Sequence, residues 1–208
     1  MGQIISNRQL QILPPRIGQI IGNVSELSAS NVGLVAVNRN AFDELSELKL
    51  LNLSKNEISE IENETFIDLE DLEILDLSFN SINSIQVYGF IGLNALENLN
   101  LSNNKIEQLM AETFDSLLNL RILDLSFNNL RQLHNEIFTE INVIEEFYIN
   151  NNQLSVINPL IISDFERAKI IDLRKNKCID TRFPEKLTMV QIALEVAGQC
   201  KSNHNGEL

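Results

Sequence analysis

Asparagine recurs at a constant interval through the middle of this 208-residue chain, and the spacing holds without an insertion or a deletion. Each asparagine closes a copy of Leu-x-x-Leu-x-Leu-x-x-Asn, most clearly in residues 72–80 and 120–128. A fixed period of about 24 residues predicts a solenoid, in which each repeat packs only on its neighbours. The recurring residues are Asn56, Asn80, Asn104, Asn128, Asn152 and Asn176.

The motif and its period are those of the leucine-rich repeat. Within each copy, an alternation such as Leu51-x-Leu53 is typical of a short strand with one buried face. We therefore expect an α/β solenoid of the leucine-rich repeat horseshoe type. A parallel β-sheet should form its concave face, loops and short helical turns its convex face, and a helix its C-terminal cap. The expected strands cover residues 50–54, 74–78, 98–102, 122–126, 146–150 and 170–174.

Two side-chain columns at the same spacing have predicted structural roles. The ladder asparagines should bond to backbone groups where the chain turns away from each strand, because an amide can both donate and accept. Half of the ten phenylalanines fall in one column, which predicts a stacked aromatic spine on the convex side. That column is Phe42, Phe66, Phe90, Phe114 and Phe138.

The repeat pattern weakens toward both ends of the chain. Residues 1–23 are interpreted as a partial N-terminal edge repeat, with Gly18 at the phenylalanine position. Residues 24–177 form the leucine-rich repeats, although Val32 replaces the first ladder asparagine. Residues 178–200 form the C-terminal cap, and residues 201–208 form a polar tail. Terminal repeats usually cover the end of the core, so the natural protein is expected to start further upstream.

The net charge of −13 bears on the choice of partner. The acidic excess lies in residues 1–166, whereas residues 167–208 are net basic. Nucleic acids and anionic membranes attract basic surfaces, so neither is an expected partner. No apolar run approaches the length of about 18 residues that would cross a membrane. An acidic body fits either a well-solvated surface or a basic partner attracted to it.

Both cysteines, Cys178 and Cys200, lie near the C-terminal end. Between them, Pro184 fits the first position of a helix, and an apolar stripe at helical spacing is expected to face the core. A disulfide would tie this helix over the open end of the solenoid, and two buried free thiols are the alternative. The stripe consists of Leu187, Val190, Leu194 and Ala197.

The repeats resemble the extracellular leucine-rich repeats of Toll-like receptor ectodomains, through Leu-x-x-Leu-x-Leu-Ser-x-Asn-x-Ile followed by Phe-x-x-Leu. Residues 171–180, with Phe183 and Cys200, resemble the short C-terminal cap of secreted arthropod leucine-rich repeat proteins, including mosquito immune proteins. The resemblance implies a setting in immunity or extracellular signalling. The four-cysteine cap of many receptors and a Toll-type intracellular domain have no counterpart in this sequence.

Four Asn-x-Ser/Thr sequons make the chain a candidate glycoprotein of the secretory pathway. Cysteines placed at a cap favour the same compartment, because disulfides persist in oxidising surroundings. Residues 1–6 match the N-myristoylation pattern, but Arg8 and Arg16 supply little of the basic patch that a single acyl chain needs. We expect an extracellular or secreted protein, although no signal peptide is visible. The predicted glycosylation sites are Asn23, Asn52, Asn63 and Asn100.

No catalytic, metal or cofactor site is predicted, so the protein is not expected to be an enzyme. The two histidines, His134 and His204, lie on a repeat turn and in the polar tail. Asp76, Asp124 and Asp172 share a column, but a two-repeat separation of about 10 Å is too wide for joint ligation of one metal ion. These aspartates are expected to be solvated or to make hydrogen bonds at the sheet edge.

The predicted binding surface is the outward side of the concave sheet. A block of Ile-x-Asp-x-x-Phe occurs twice, with one repeat of different sequence between the copies, which defines a super-repeat of two units. Exposed aromatic residues are common interface anchors; a recent duplication with the phenylalanines packed over the turn is the alternative. The expected ligand is a protein or a microbial surface molecule. The predicted contact residues are Ile74, Asp76, Phe79, Ile122, Asp124, Phe127 and Tyr148.

Two other functions fit the same pattern. One is a fragment of a larger receptor or adhesion ectodomain. The other is an intracellular leucine-rich repeat scaffold or enzyme inhibitor, which reduced cysteines and unmodified sequons in the native protein would favour.

Overall fold

The computed structural model describes residues 2–5, 10–139, 141, 143–163, 165–184 and 187–200; the predicted polar tail, with His204, lies outside them. The α-helices are α1 (Ile17–Ile21), α2 (Leu160–Ser163) and α3 (Met189–Gln199), and 3-10 helices cover Arg39–Phe42 and Asn135–Ile137. None of the described helices has the length and apolar character needed to cross a membrane. The strands are β1 (Gly2–Ile4), β2 (Glu26–Ser28), β3 (Leu50–Asn52), β4 (Glu60–Ile61), β5 (Ile74–Asp76), β6 (Ser84–Ile85), β7 (Asn98–Asn100), β8 (Ile122–Asp124), β9 (Gln132–Leu133), β10 (Glu146–Tyr148), β11 (Val156–Ile157), β12 (Ile170–Asp172) and β13 (Arg182–Pro184).

One long sheet carries a strand from every repeat, in the order β1-β2-β3-β5-β7-β8-β10-β12-β13. The strands from β1 to β12 are parallel, and the register advances by one repeat at each step, so that Leu51 lies opposite Leu75 and Leu75 opposite Leu99. The six predicted strands are confirmed, each shortened to three residues. The α/β leucine-rich repeat solenoid expected from the sequence is therefore confirmed.

The core is a continuous strip between this sheet and the convex loops. The inward strand residues and all five spine phenylalanines are buried. Phe90 stacks between Phe66 and Phe114, with ring centroids 6.3 Å and 5.9 Å apart. The stack ends at Phe138, which meets Phe165 edge to face at 5.4 Å. The predicted aromatic spine is confirmed, and its offset contacts add to the burial of apolar area.

The asparagine ladder joins each repeat to the one before it. The Asn80 side-chain amide donates to the carbonyls of Leu53 and Leu77, both at 3.0 Å, and its oxygen accepts from the Ile58 N–H at 3.1 Å. The same bonds recur at the other ladder positions, including Asn176. Because these amides are nearly all buried, each satisfies backbone groups that would otherwise lose water without replacement.

The first repeats keep the fold with altered residues. Val32 is buried where the ladder would have an asparagine, and the Asn56 oxygen accepts from the Val32 N–H at 3.0 Å. Gly18 takes the spine position because α1 packs close to the next repeat; a Cβ there would lie 2.9 Å from the Asp43 carbonyl oxygen. The edge repeat thus replaces an aromatic ring by a close backbone approach.

The C-terminal cap differs from its prediction in two respects. The helix does not begin at Pro184, which lies in β13 opposite Ile170. It begins at Met189, after Thr188 caps its first turn in a capping box with Gln191. β13 runs antiparallel to β12 and covers the last sheet edge, and proline suits such an edge because it has no N–H to leave unpaired.

The predicted inward stripe of the cap helix is wrong at three of its four positions, and only Leu187, which precedes α3, packs partly buried against the core. Val190 and Leu194 are 65% and 68% exposed, and Ala197 is exposed as well, whereas Ile192 and Val196 are buried. α3 therefore turns its other apolar face toward the core. The helix ends at Cys200, which forms a disulfide with Cys178 with the Cα atoms 4.9 Å apart.

Candidate functional site

The outward side of the sheet presents three columns, because successive strand residues point to opposite faces. Leu75 and Leu123 are buried below the sheet, whereas their neighbours Ile74 and Ile122 face outward. Ile74 is 39% exposed and Ile122 is partly buried. The predicted contact residues therefore lie on one face, and the short strands hold them in a fixed register.

The middle column is engaged in turn formation. The Ser78 N–H donates to Asp76 Oδ1 at 2.9 Å, and the Ser126 N–H donates to Asp124 Oδ1 at 2.8 Å. The same bond occurs at Asn52, Asn100 and Asp172. The expectation of sheet-edge hydrogen bonds is confirmed, and it explains why asparagine and aspartate alternate here, since either side chain can make this turn bond.

Charge compensation divides the aspartates of this column into two kinds. Asp172 is 2% exposed and pairs with Arg174 at 2.6 Å, while Arg182 lies 3.9 Å away. This carboxylate raises the pKa of Arg174, first through their hydrogen bond and then through its charge. Among the described residues, Asp76 and Asp124 have no cationic partner within 4.0 Å, so each leaves a partly exposed charge on the concave face.

The third column, immediately before the ladder, is held in the left-handed backbone region. Phe79 has φ = 53° and Phe127 has φ = 55°. Asparagine adopts this region readily and fills the same position in other repeats, whereas a phenylalanine there is uncommon. The two rings are 53% and 50% exposed. The structure thus places two half-exposed aromatic rings at positions whose backbone favours a different residue.

Tyr148 continues the middle column one repeat beyond Asp124. Its hydroxyl donates to Glu146 Oε2 at 2.7 Å. Burial raises the pKa of Tyr148 to about 12, and the hydrogen bond to Glu146 and the negative charge of Glu146 act in the same direction. The phenol is therefore neutral at physiological pH, and its hydroxyl proton is donated to Glu146 on the same strand.

A column of charged residues of both signs borders the face at the start of the strands, and the sequence interpretation missed it. Arg121 lies 3.8 Å from Glu97 and contacts Glu145 directly, and Lys169 also bonds to Glu145. The hydrogen bonds from Lys169 and Arg121 hold the pKa of Glu145 below its ordinary value. Reading the position before each strand down the chain would have found the column, which is Lys49, Glu73, Glu97, Arg121, Glu145 and Lys169.

A shallow depression of about 280 Å³ lies between this charge column and the first outward column. Ile74 and Ile122 line it together with Asn98 and Arg121. Phe79 and Phe127 are at the opposite ends of the same strands, so the depression does not include them. The structure brings the seven predicted residues onto one face but does not gather them into one pocket.

The four sequons fall into two environments. Asn23 and Asn63 are exposed on loops, where Asn23 donates to Glu47 at 2.7 Å and Asn63 accepts from the Tyr88 N–H at 3.0 Å. Asn52 and Asn100 are partly buried on the concave face. The hydroxyl residues of three sequons, Ser54, Thr65 and Ser102, are buried, so glycan transfer there has to precede folding. Occupancy of all four remains a prediction.

Within the residues described, no three or more His, Cys, Asp or Glu side chains are grouped as a metal site. His134 lies on the flank of the solenoid, where its Nε2 atom is 2.9 Å from the Gln132 side-chain oxygen.

The arrangement on the concave face offers apolar contact, carboxylates and amides, which are the groups of a recognition surface.

The chain belongs to the leucine-rich repeat family. The family model described as leucine rich repeat matches residues 22–82, 70–130 and 118–177. No curated protein matches it in sequence. A solved complex of TLR13 with ssRNA13 is similar, with a TM-score of 0.77 and 28% identity over 84% of this chain and 24% of that one. The Toll–Spatzle complex of Drosophila has a TM-score of 0.72 and 22% identity, over 80% of this chain and 24% of that one, and shows a shared fold. The chain thus spans about a quarter of the length of these receptors.

Proposed function

We propose that this protein is a non-enzymatic extracellular recognition module that binds a protein or a microbial surface ligand through its concave face. The exposure of Phe79 and Phe127 carries the proposal. Both rings sit at positions with φ near 55°, where a non-glycine residue costs about 1–2 kcal/mol. An asparagine would fit this backbone with less strain, so a half-exposed phenylalanine there is better explained by binding than by folding, and aromatic residues are enriched at interface centres.

The rigidity of the surface also supports binding. Parallel pairing and the asparagine ladder fix the backbone that carries the rings, so little order has to be gained when a partner binds. A partner that covers about 800 Å², the usual share of one side of an interface, reaches both Phe rings together with Ile74 and Ile122. Tyr148 lies one repeat further and completes the proposed site.

Charge favours a protein over a nucleic acid as the partner. The titles of the two similar structures name an RNA for TLR13 and Spatzle for Toll. Here, the concave face presents the carboxylates of Asp76 and Asp124 within a chain of net charge −13. Such a surface repels phosphates and attracts a basic partner.

Innate immunity is the setting we propose, following the receptors to which the chain is similar.

The compartment follows from the cap and the sequons. A disulfide between Cys178 and Cys200 persists in an oxidising environment. Mass spectrometry of the native protein is expected to find this bond intact and glycans on Asn23 or Asn63. Free thiols together with unmodified sequons would instead identify an intracellular scaffold or inhibitor.

The binding test compares two surfaces on the same protein. The wild-type protein captures partners from the extracellular fluid of its source, and affinity for each captured partner is then measured with purified variants. Phe79→Asn/Phe127→Asn keeps the residue type that other repeats use at this position, and Tyr88→Asn removes an exposed aromatic ring outside the concave face. The variants are produced without N-glycosylation, because Phe79→Asn creates a sequon with Ser81.

We expect the double variant to weaken binding at least about tenfold, as for interface anchors, and Tyr88→Asn to leave the affinity unchanged. Circular dichroism and thermal unfolding confirm that both variants are folded. Equal affinity of all three proteins for every captured partner would move the binding site off the concave face.

A further inference from the structure

The concave face has a translational repeat that is twice the repeat of the fold. The group Ile74, Asp76 and Phe79 recurs two repeats later, and the pairing of β5, β7 and β8 places one strand between the two copies. Neighbouring strands are about 4.8 Å apart, so equivalent atoms of the two groups are about 9.6 Å apart along the face. A ligand that contacts both groups alike must present the same chemistry at this interval.

Among regular peptide conformations, the polyproline II helix matches this interval. It rises about 3.1 Å per residue with three residues per turn, so every third side chain faces the same way about 9.3 Å further on. Same-face side chains of an extended strand recur at about 6.7 Å, which is too short. An α-helix offers its next well-aligned position after seven residues, or about 10.5 Å, and its diameter of about 10–12 Å is large for a shallow face.

The chemistry of each group indicates the side chains of the ligand. The carboxylates of Asp76 and Asp124 lack cationic partners among the described residues, and each has one oxygen engaged by its turn. An arginine or lysine at every third position of the ligand would satisfy both. The half-exposed rings of Phe79 and Phe127 suit proline, because aromatic surfaces are the usual docking sites of proline-rich segments.

The strand between the two groups supplies the complementary backbone contacts. Asn98, Asn100 and Asn103 lie side by side between the two groups, all partly exposed, and this contact requires the Asn100 sequon to carry no glycan. A polyproline II segment has no internal hydrogen bonds, so its carbonyls remain free to accept from such amides. Lys55 and Lys175 occupy the position of Phe79 and Phe127 in repeats on either side of the two groups. Because their positive charges repel a basic ligand, they confine it to the repeats between them.

We propose that the concave face binds a basic, proline-rich peptide segment in the polyproline II conformation, lying across the strands with a cation at every third residue. The proposal rests on the proposed function and names its ligand class. One period of the ligand spans one super-repeat, so Asp76 and Asp124 receive cations three residues apart.

The test uses two synthetic twelve-residue peptides of identical composition. One is Arg-Pro-Pro repeated four times, and the other has the same four arginines placed as two adjacent pairs. Binding to the full chain is measured by calorimetry at low and physiological salt. In Asp76→Asn/Asp124→Asn, the charges are removed but the turn bonds remain, as Asn52 and Asn100 demonstrate. Glu112→Gln/Glu136→Gln removes two exposed charges elsewhere as the matched control. All proteins are made without N-glycosylation.

We expect the period-three peptide to bind at least about tenfold more tightly than its rearranged partner, and the aspartate variant to lose about tenfold in affinity, as for two partly screened charge pairs. The glutamate variant should bind as the wild type does. Equal binding of both peptides would leave only a charge effect and overturn the period match, while recognition by the concave face would stand.

Absence of binding by either peptide also overturns this ligand class. Neither result touches the proposed function, provided that captured partners still need the two rings. Loss of that dependence would end both proposals.

Discussion

The central repeats, residues 50–128, and the cap, residues 178–200, complete the same apolar strip by different means. In the repeats, every strand, spine ring and ladder amide is matched by an identical group one repeat away. The cap does not continue the repeat pattern and uses an antiparallel strand, a helix and a disulfide instead. Stability in the repeats is therefore distributed over many equivalent contacts, whereas in the cap it is concentrated in a few different ones.

The largest expected effect is in the centre of the spine. Phe90→Ala should lower the free energy of unfolding by about 3–5 kcal/mol, because the ring is fully buried between two stacked neighbours. Chemical denaturation measures the loss. Phe79→Ala is the control of the same residue type, and its half-exposed ring should cost less than about 1 kcal/mol. A loss of similar size at both positions would contradict the distinction between spine and surface phenylalanines.

The disulfide tests how far the cap is independent of the repeats. Cys178→Ser/Cys200→Ser opens a loop with a sequence separation of 22, for which the chain-entropy estimate is about 3 kcal/mol. Hydrogen exchange should show faster exchange in α3, while the amides of residues 50–128 keep their protection. Uniform loss of protection along the chain would mean that cap and repeats unfold as one unit.

Two ladder asparagines allow a direct comparison of the regions. Asn104→Ala leaves buried backbone groups of two repeats without partners and should cost about 2–3 kcal/mol. Asn176→Ala, at the partly exposed end of the ladder, should cost about 1 kcal/mol because water replaces part of its bonding. Thermal unfolding of the two variants checks the order. A larger loss of stability for Asn176→Ala than for Asn104→Ala would contradict the expected difference between the end and the middle of the ladder.

The smallest effect concerns Tyr148 at high pH. Its pKa is raised to about 12 in the folded protein, first by burial and then by Glu146. The folded state therefore favours the neutral phenol more than the unfolded chain does. This contribution is complete below the ordinary pKa of about 10 and is lost as the pH rises through about 12. The tyrosinate absorbance of the wild type minus that of Tyr148→Phe should show an ionisation near pH 12, because the subtraction removes the signal of Tyr88; a difference step near pH 10 would contradict the burial of Tyr148.

Periodicity explains which parts of the fold were predictable. Leu75 and Asn80 each pack beside the equivalent residue of the next repeat. The same column of the sequence therefore names both residues of each such contact. The cap helix has no such copy, and its sequence carries two apolar stripes. Pro184 joins the sheet instead of starting the helix, and this pairing is a tertiary preference that helix signals do not contain.

The candidate site was predictable in position but not in detail. The outward direction of Ile74, Asp76 and Phe79 follows from the strand period. The left-handed backbone at Phe79 did not follow, because asparagine, lysine and phenylalanine all occur in that column and mask its preference. The charge column around Arg121 was missed because its members are of both signs and form no single-residue pattern.

Cys200 stands one full repeat length after Asn176, at the place where the next ladder asparagine would fall. Asn176 reaches back 22 residues to the N–H of Leu154, and Cys200 reaches back over the same separation of 22 to Cys178. Each ladder asparagine supplies hydrogen bonds to the loop of the repeat before it. A chain synthesised from its N-terminus therefore always has one loop, at its growing end, that still lacks these bonds. The disulfide finishes the last one with a covalent bond. Closure of this loop thereby becomes an oxidation, and a reducing compartment would leave the loop open.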